Sequence, residues 1–141
     1  MIKPLVADTS FVAKLLFSEP GSDVASAVLA KQKARLIAPR FLQVECAAVA
    51  WKRCQRGELA REAAIDSLTK LSQLPIDFVE DELMLAGALD LAIVTGRTVY
   101  DSLYLATAIA NKGTVITADE RFVNALHGGP FERYAQLLGG R

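Results

Sequence analysis

The chain has 141 residues, of which 52% are hydrophobic and 23% are charged. This composition is typical of a globular domain and excludes a disordered chain, while the length predicts a single domain over residues 1–141. Sixteen basic residues balance sixteen acidic ones, so the net charge gives no sign of a general polyanion-binding protein.

Short apolar runs alternate with helical patterns. The predicted strands lie at 5–7, 36–38, 76–79 and 114–117, and the strand at 76–79 is a short edge strand. The predicted helices lie between and after them, at 11–17, 22–33, 40–56, 59–74, 80–96, 101–111 and 119–126. For residues 131–138 we predict a final strand or a helical turn. This alternation predicts an α/β fold with a mainly parallel sheet.

The charges are unevenly distributed. Residues 31–61 hold eight basic side chains and two acidic ones, whereas residues 71–96 hold five acidic side chains and no basic one. Such asymmetry can mark a nucleic-acid surface, although a solvated helical face is the more common cause. Both interpretations stay open at this point.

The two cysteines bear on the cellular compartment. Cys46 and Cys54 lie eight residues apart in one predicted helix, about 12 Å along its axis, which is too far for a disulfide. Unpaired cysteines indicate a reducing compartment, and the first residues show no signal-peptide pattern. The longest apolar stretch, residues 83–94, is too short to span a bilayer. We therefore expect a cytoplasmic protein without membrane association.

Acidic residues recur at the starts of predicted helices. Asp8 follows an apolar strand, Asp119 repeats that arrangement, and Asp101 also begins a helix. Each could simply be an N-cap, which is the commoner role for a single aspartate there. However, parallel strands that end in acids bring those acids to one edge of the sheet. Their joint placement indicates a site.

Glu45 lies inside the apolar helix at 40–56 and cannot be a cap. The predicted core stripe of that helix is Phe41, Val44, Ala48 and Trp51. Glu45 lies roughly 90° from the centre of this stripe, on its shoulder. It is either a partly exposed polar residue or a member of the same acidic site.

Three basic residues follow Glu45 on the same helix, namely Lys52, Arg53 and Arg56. Carboxylates suit Mg²⁺ or Mn²⁺, and bases beside them can hold phosphates, which together is what a phosphodiesterase needs. The chain has one histidine, and its two cysteines do not have the spacing of zinc ligands, so a zinc site is disfavoured. His127 is interpreted as a helix-end residue.

The motifs then match a known family. The segments DTS at residues 8–10, YDSLYLA at 100–106 and TADERF at 117–122, with Glu45 in a helix between them, resemble PIN-domain ribonucleases. They are most similar to the VapC-type toxins of prokaryotic type II toxin–antitoxin pairs. The resemblance covers nearly the whole chain, in motif order.

This resemblance implies a three-layer fold, with a mainly parallel central sheet flanked by helices. It implies four acids around Mg²⁺ or Mn²⁺, carried over as Asp8, Glu45, Asp101 and Asp119, the last binding directly or through water. Ser10 and Thr117 match the supporting hydroxyls. The resemblance also implies a homodimer and an inhibitory antitoxin.

We therefore expect an endoribonuclease toxin that cleaves RNA phosphodiester bonds with metal-activated water. The alternative is a catalytically inactive PIN-like module that binds RNA or a protein, although such a module usually lacks one of the acids. A phosphotransfer domain built on Asp8 would want a lysine after a late strand, and residues 114–117 supply none.

Overall fold

The computed structural model describes residues 3–31 and 35–140. Within these ranges, five strands form one sheet: β1 (Leu5–Ala7), β2 (Leu36–Pro39), β3 (Ile76–Val79), β4 (Thr114–Thr117) and β5 (Ala135–Leu137). The α-helices are α1 (Thr9–Leu16), α2 (Ser22–Lys31), α3 (Phe41–Gln55), α4 (Arg61–Gln73), α5 (Leu85–Thr95), α6 (Val99–Ala110) and α7 (Glu120–Leu126). None of the helices in the described ranges combines the length and the hydropathy needed to traverse a bilayer.

The sheet has the order β3-β2-β1-β4-β5, and each neighbouring pair is parallel. Val6, Ile37 and Val115 in the three central strands are fully buried. Short apolar runs of this kind suit strands that are covered by helices on both faces. The predicted α/β fold with a parallel sheet is therefore confirmed.

Most predicted elements are present with ends that differ by a few residues. The strand at 76–79 is an edge strand, as predicted. Residues 131–138 contain both predicted alternatives, a 3₁₀ turn at Glu132–Tyr134 and the strand β5. The end of the predicted helix at 22–33 lies outside the described residues, since α2 is described to Lys31.

The predicted core stripe of α3 is wrong. Val44 and Trp51 are 63% and 60% exposed, whereas the buried residues of α3 are Leu42, Cys46 and Ala50. Of the other predicted core residues, Ala48 is exposed and Phe41 is half-buried. Apolar residues occupy almost the whole circumference of this helix, so its sequence periodicity could not select a face. Glu45 still lies between the buried and the exposed faces and is half-buried.

The sequence predicts that the acids at 80–82 begin an α-helix, and this prediction is wrong. Asp81 starts a 3₁₀ turn, and α5 begins only at Leu85. Glu80 pairs instead with Arg40 at 2.5 Å, and Asp81 Oδ1 accepts a hydrogen bond from Phe41 N at 3.1 Å. The negative charges of Glu80 and Asp81 thus lie at the start of α3, where the helix dipole is positive.

Candidate active site

The order of the strands brings Asp8 and Asp119 to one edge of the sheet. Asp8 directly follows β1, and Asp119 lies two residues beyond the end of β4. The two strands are neighbours, with Ala7 paired to Ile116. Carboxyl ends of adjacent parallel strands are where open α/β sheets place their ligands.

Asp8 is both an N-cap and a member of this edge. Its Oδ1 accepts hydrogen bonds from Phe11 N at 3.0 Å and from Ser10 Oγ at 2.8 Å. The pKa of Asp8 is raised to about 6, mainly by burial and to a smaller extent by the negative charge of Asp119, against the lowering effect of hydrogen bonds from Thr117, Phe11 and Ser10. The cap interpretation and the site interpretation are therefore compatible.

Ser10 and Thr117 join the two strand ends through their hydroxyls. Ser10 Oγ lies 3.1 Å from Thr117 Oγ1 and accepts a hydrogen bond from Ala118 N at 2.8 Å. Thr117 Oγ1 accepts a hydrogen bond from Asp119 N at 3.0 Å, while Asp119 Oδ1 caps α7 through Arg121 N. These bonds fix the backbone around both aspartates.

Glu45 reaches the edge from α3 and is held by two hydroxyls. Its Oε1 accepts hydrogen bonds from Thr9 Oγ1 at 2.7 Å and from the Tyr104 hydroxyl at 2.5 Å. Burial, and then the negative charge of Glu45, raise the pKa of Tyr104, so its hydroxyl remains a donor. Because both bonds use one oxygen, Oε2 is not committed to this pair of donors.

Sequence reasoning gave Tyr104 no role, although it lies in the YDSLYLA segment. The signal was its position three residues after Asp101, which puts the two side chains on neighbouring parts of one helix face. Tyr104 is buried and belongs to the core of α6. Its hydroxyl is the polar end of an otherwise apolar contact.

Asp101 is not an N-cap, because α6 begins at Val99 and Thr98 is its cap, so the predicted helix start at residue 101 is wrong. Asp101 N donates to Thr98 Oγ1 at 3.0 Å, and its carboxylate is free to make another contact. Asp101 Oδ2 accepts a hydrogen bond from Arg97 Nη2 at 2.7 Å. Sequence reasoning missed Arg97, although an arginine and an aspartate at i and i+4 often pair on a helix.

The residues at this edge are suitable in type for a hard divalent cation. Burial, and then the negative charges of Glu45 and Asp8, raise the pKa of the Cys46 thiol. Carboxylate oxygens are the ligands that Mg²⁺ and Mn²⁺ prefer. Among the described residues, no three metal-binding side chains already converge on one point. Side chains at this edge must therefore move for a cation to be enclosed.

A groove of about 340 Å³ adjoins the acidic edge, since Ser10 and Ala118 belong to its lining. The three predicted RNA contacts line the same groove, but they are not equivalent. Arg53 forms an ion pair with Glu19 and lies over the ring of Phe17, 4.6 Å from its centroid. The other two residues, Lys52 and Arg56, are exposed.

His127 lies at the opposite end of α7 from Asp119, as its C-cap. Its side chain is 80% exposed and its Nδ1 lies 2.6 Å from Glu132 Oε1. This position agrees with the interpretation of His127 as a helix-end residue.

Residues 5–126 match the PIN domain family. No curated protein is similar enough in sequence to count as a relative. Among solved structures, the chain is similar to VapC20 of Mycobacterium tuberculosis, a toxin that cleaves the sarcin-ricin loop, with a TM-score of 0.71 and 16% identity over 92% of this chain and 98% of that one. It is similar to PAE2754 of Pyrobaculum aerophilum (TM-score 0.67, 21% identity, 91% and 82% covered) and to a chain of a toxin–antitoxin complex of Klebsiella pneumoniae (TM-score 0.63, 16% identity, 90% and 93% covered).

Proposed function

Because the chain belongs to the PIN domain family, we propose that it is a metal-dependent endoribonuclease and the toxin of a toxin–antitoxin pair. The observation that carries this proposal is the placement of Asp8 and Asp119 at neighbouring strand ends, with Glu45 bonded to Thr9 beside them, next to a groove with exposed basic residues. The likeness to VapC20 and to a chain of a toxin–antitoxin complex supports the same assignment.

In this proposal Asp8, Glu45, Asp101 and Asp119 hold Mg²⁺ or Mn²⁺, with Asp119 binding directly or through water. The cation would supply an activated water and stabilise charge on the scissile phosphate. Thr9 and Tyr104 keep Glu45 Oε1 in place, which aims the second oxygen of that carboxylate. Ser10 and Thr117 hold the strand ends at which Asp8 and Asp119 begin their helices.

The substrate would lie in the adjoining groove. Lys52 and Arg56 are the exposed bases for its phosphates, whereas Arg53 shapes the wall through its pair with Glu19. Single-stranded RNA fits an open groove better than a duplex, because its backbone can bend toward the acids and its bases can splay out.

The catalytically inactive RNA- or protein-binding module remains the second candidate. Two observations favour it: the pairing of Asp101 with Arg97, and the lack of a converged set of metal ligands in the described ranges. RNA binding without cleavage in either Mg²⁺ or Mn²⁺ would identify such a module.

We also propose two protein partners, a second copy of the chain and an antitoxin, acting in the cytoplasm. Large apolar side chains are exposed on several helices, and those on α3, α4 and α5 are Val44, Trp51, Ile65, Leu68, Leu85, Leu89, Ile93 and Val94. Exposed apolar surface of this extent is typical of interaction sites. The free thiols of Cys46 and Cys54 suit a reducing compartment.

The purified protein, free of antitoxin, should cut single-stranded RNA with Mg²⁺ or Mn²⁺ and stop when a chelator is added, because in this proposal the nucleophile is a water that the metal activates. A gel assay of a labelled RNA pool, with metal restored after chelation, measures this. His127→Ala serves as the control and should cut at the wild-type rate. Cleavage that continues in chelator and disappears in His127→Ala would refute the metal mechanism.

Lys52→Ala combined with Arg56→Ala should weaken RNA binding and reduce the slope of log affinity against log salt by roughly 1 to 2, since two phosphate contacts are lost. Binding is measured by fluorescence anisotropy in chelator, between roughly 50 and 200 mM salt.

The matched control is Arg53→Ala, which should instead lower the free energy of unfolding by about 1–2 kcal/mol through loss of its contacts with Phe17 and Glu19. An unchanged salt slope in the double variant would mean that Lys52 and Arg56 do not contact RNA.

A further inference from the structure

Arg97 places a positive charge against one of the four acids. Its Nη2 donates to Asp101 Oδ2 at 2.7 Å, and its guanidinium carbon lies 5.9 Å from the ring centroid of Phe122. Phe122 belongs to α7, the helix that Asp119 caps. The positively charged guanidinium of Arg97 therefore lies between the starts of α6 and α7, where two of the proposed metal ligands are found.

The backbone of Arg97 is fixed by its neighbours. Gly96 ends α5 in the left-handed conformation with a φ of 78°, and Arg97 N donates to Thr95 Oγ1 at 3.1 Å. The next residue, Thr98, caps α6. The guanidinium is thus delivered to Asp101 by a short, ordered turn, and its side chain is 24% exposed.

The hold of Arg97 on Asp101 is incomplete. The ion pair joins one nitrogen to one oxygen, rather than the two parallel bonds that an arginine can make with a carboxylate. Within the described residues, Arg97 Nε is buried and has no hydrogen-bond partner. A carboxylate held at one point can exchange its partner for another cation with a small movement.

We propose that Arg97 is a resident counter-cation that occupies Asp101 until a divalent metal displaces it, and so sets the metal affinity of the acidic edge. The inference rests on the proposed function, in which Asp101 is a metal ligand. The guanidinium and the metal ion compete for one carboxylate and repel each other. Arg97 acts through Asp101 and is therefore a positioning residue.

The test is a calorimetric titration of the RNA-free protein with Mn²⁺. Arg97→Gln removes the charge and keeps polar atoms at the same place, and it should bind Mn²⁺ about tenfold more tightly than the wild type, as expected for a unit charge several ångströms from a divalent ion. A purely structural role predicts the opposite sign, since a less ordered Asp101 would bind metal more weakly.

Three variants separate competition from a general charge effect. Arg97→Lys keeps the charge and should bind Mn²⁺ much as the wild type does. Arg121→Gln removes an exposed charge from α7 and should change the affinity less than Arg97→Gln does. In an Asp101→Asn background, Arg97→Gln should have little further effect, because the contested carboxylate is gone.

A second measurement uses the wild type, so it holds even if Arg97→Gln does not fold. In nuclear magnetic resonance spectra, the Nε–H signal of Arg97 should shift as Mg²⁺ is added. A signal that stays fixed at saturating Mg²⁺, or an Arg97→Gln affinity equal to or weaker than wild type, overturns the counter-cation role. A wild type that binds no Mn²⁺ overturns the proposed metal site itself.

Discussion

Asp8→Asn is expected to abolish RNA cleavage while making the metal-free protein more stable at neutral pH. Burial raises the pKa of the Asp8 carboxyl from 3.8 to about 6, so its ionised form destabilises the fold. A difference of about two pKa units corresponds to about 3 kcal/mol in the free energy of unfolding. Asparagine caps a helix about as well as aspartate, so α1 should remain.

The pH dependence follows from the sign of this shift. Between the unfolded pKa of 3.8 and the folded pKa of about 6, the folded protein binds more protons than the unfolded one. The wild type should therefore lose stability as the pH rises through this window and stay at the lower level above it. Asp8→Asn should show a smaller loss over the same range.

Urea denaturation in chelator, at about pH 4.5 and about pH 7.5, measures this difference between the two proteins. Added Mg²⁺ should restore stability to the wild type more than to Asp8→Asn, because the ion binds only the folded acids. Asp66→Asn, on the exposed face of α4, is the control and should follow the wild-type profile. If Asp8→Asn is no more stable than the wild type at the higher pH, the buried-carboxylate argument fails.

Tyr104→Phe should slow cleavage by about 10- to 100-fold, in the range typical for removal of a hydrogen bond that orients a ligand. The substitution keeps the buried ring and removes the hydroxyl that donates to Glu45 Oε1 at 2.5 Å. Thr9 alone would then hold this oxygen, and the carboxylate would sample more orientations.

Single-turnover cleavage rates across a range of Mn²⁺ concentrations measure the effect. Tyr134→Phe is the matched control, because its hydroxyl accepts from Arg133 near β5 and not from the acidic edge. Thermal unfolding should show that Tyr104→Phe remains folded. A wild-type rate in Tyr104→Phe would show that its hydroxyl serves packing alone.

The fold could be predicted because its strands are short, apolar and separated by helices. Residues 5–7, 36–38 and 114–117 show the pattern of buried parallel strands and are found as such. The buried face of α3 could not be predicted in the same way, because that helix carries apolar residues on its exposed face as well. Which face is buried depends on the elements that pack against the helix. The periodicity of the helix itself does not identify those elements.

The structure places Asp8, Asp119 and Glu45 near one edge of the sheet, but the contacts of the predicted acids could not be predicted from the sequence. The sequence predicts that Asp101 is either a cap or a ligand, and the structure shows a third arrangement, the ion pair with Arg97. The bond between Tyr104 and Glu45 joins residues that are 59 positions apart. Contacts of this kind depend on the approach of two helices, which spacing along one helix cannot give.

The position of β1 between β2 and β4 also has a consequence for synthesis. Ser10 and Thr117, whose hydroxyls lie 3.1 Å apart, are separated by 107 residues. On a ribosome that adds roughly 5–20 residues per second, roughly 5–20 seconds pass between the making of the two. Throughout that interval the nascent chain holds Asp8 without Asp119, and one side of β1 has no neighbour. Activity at this edge would therefore begin as a single late step in translation, rather than growing with the length of the chain.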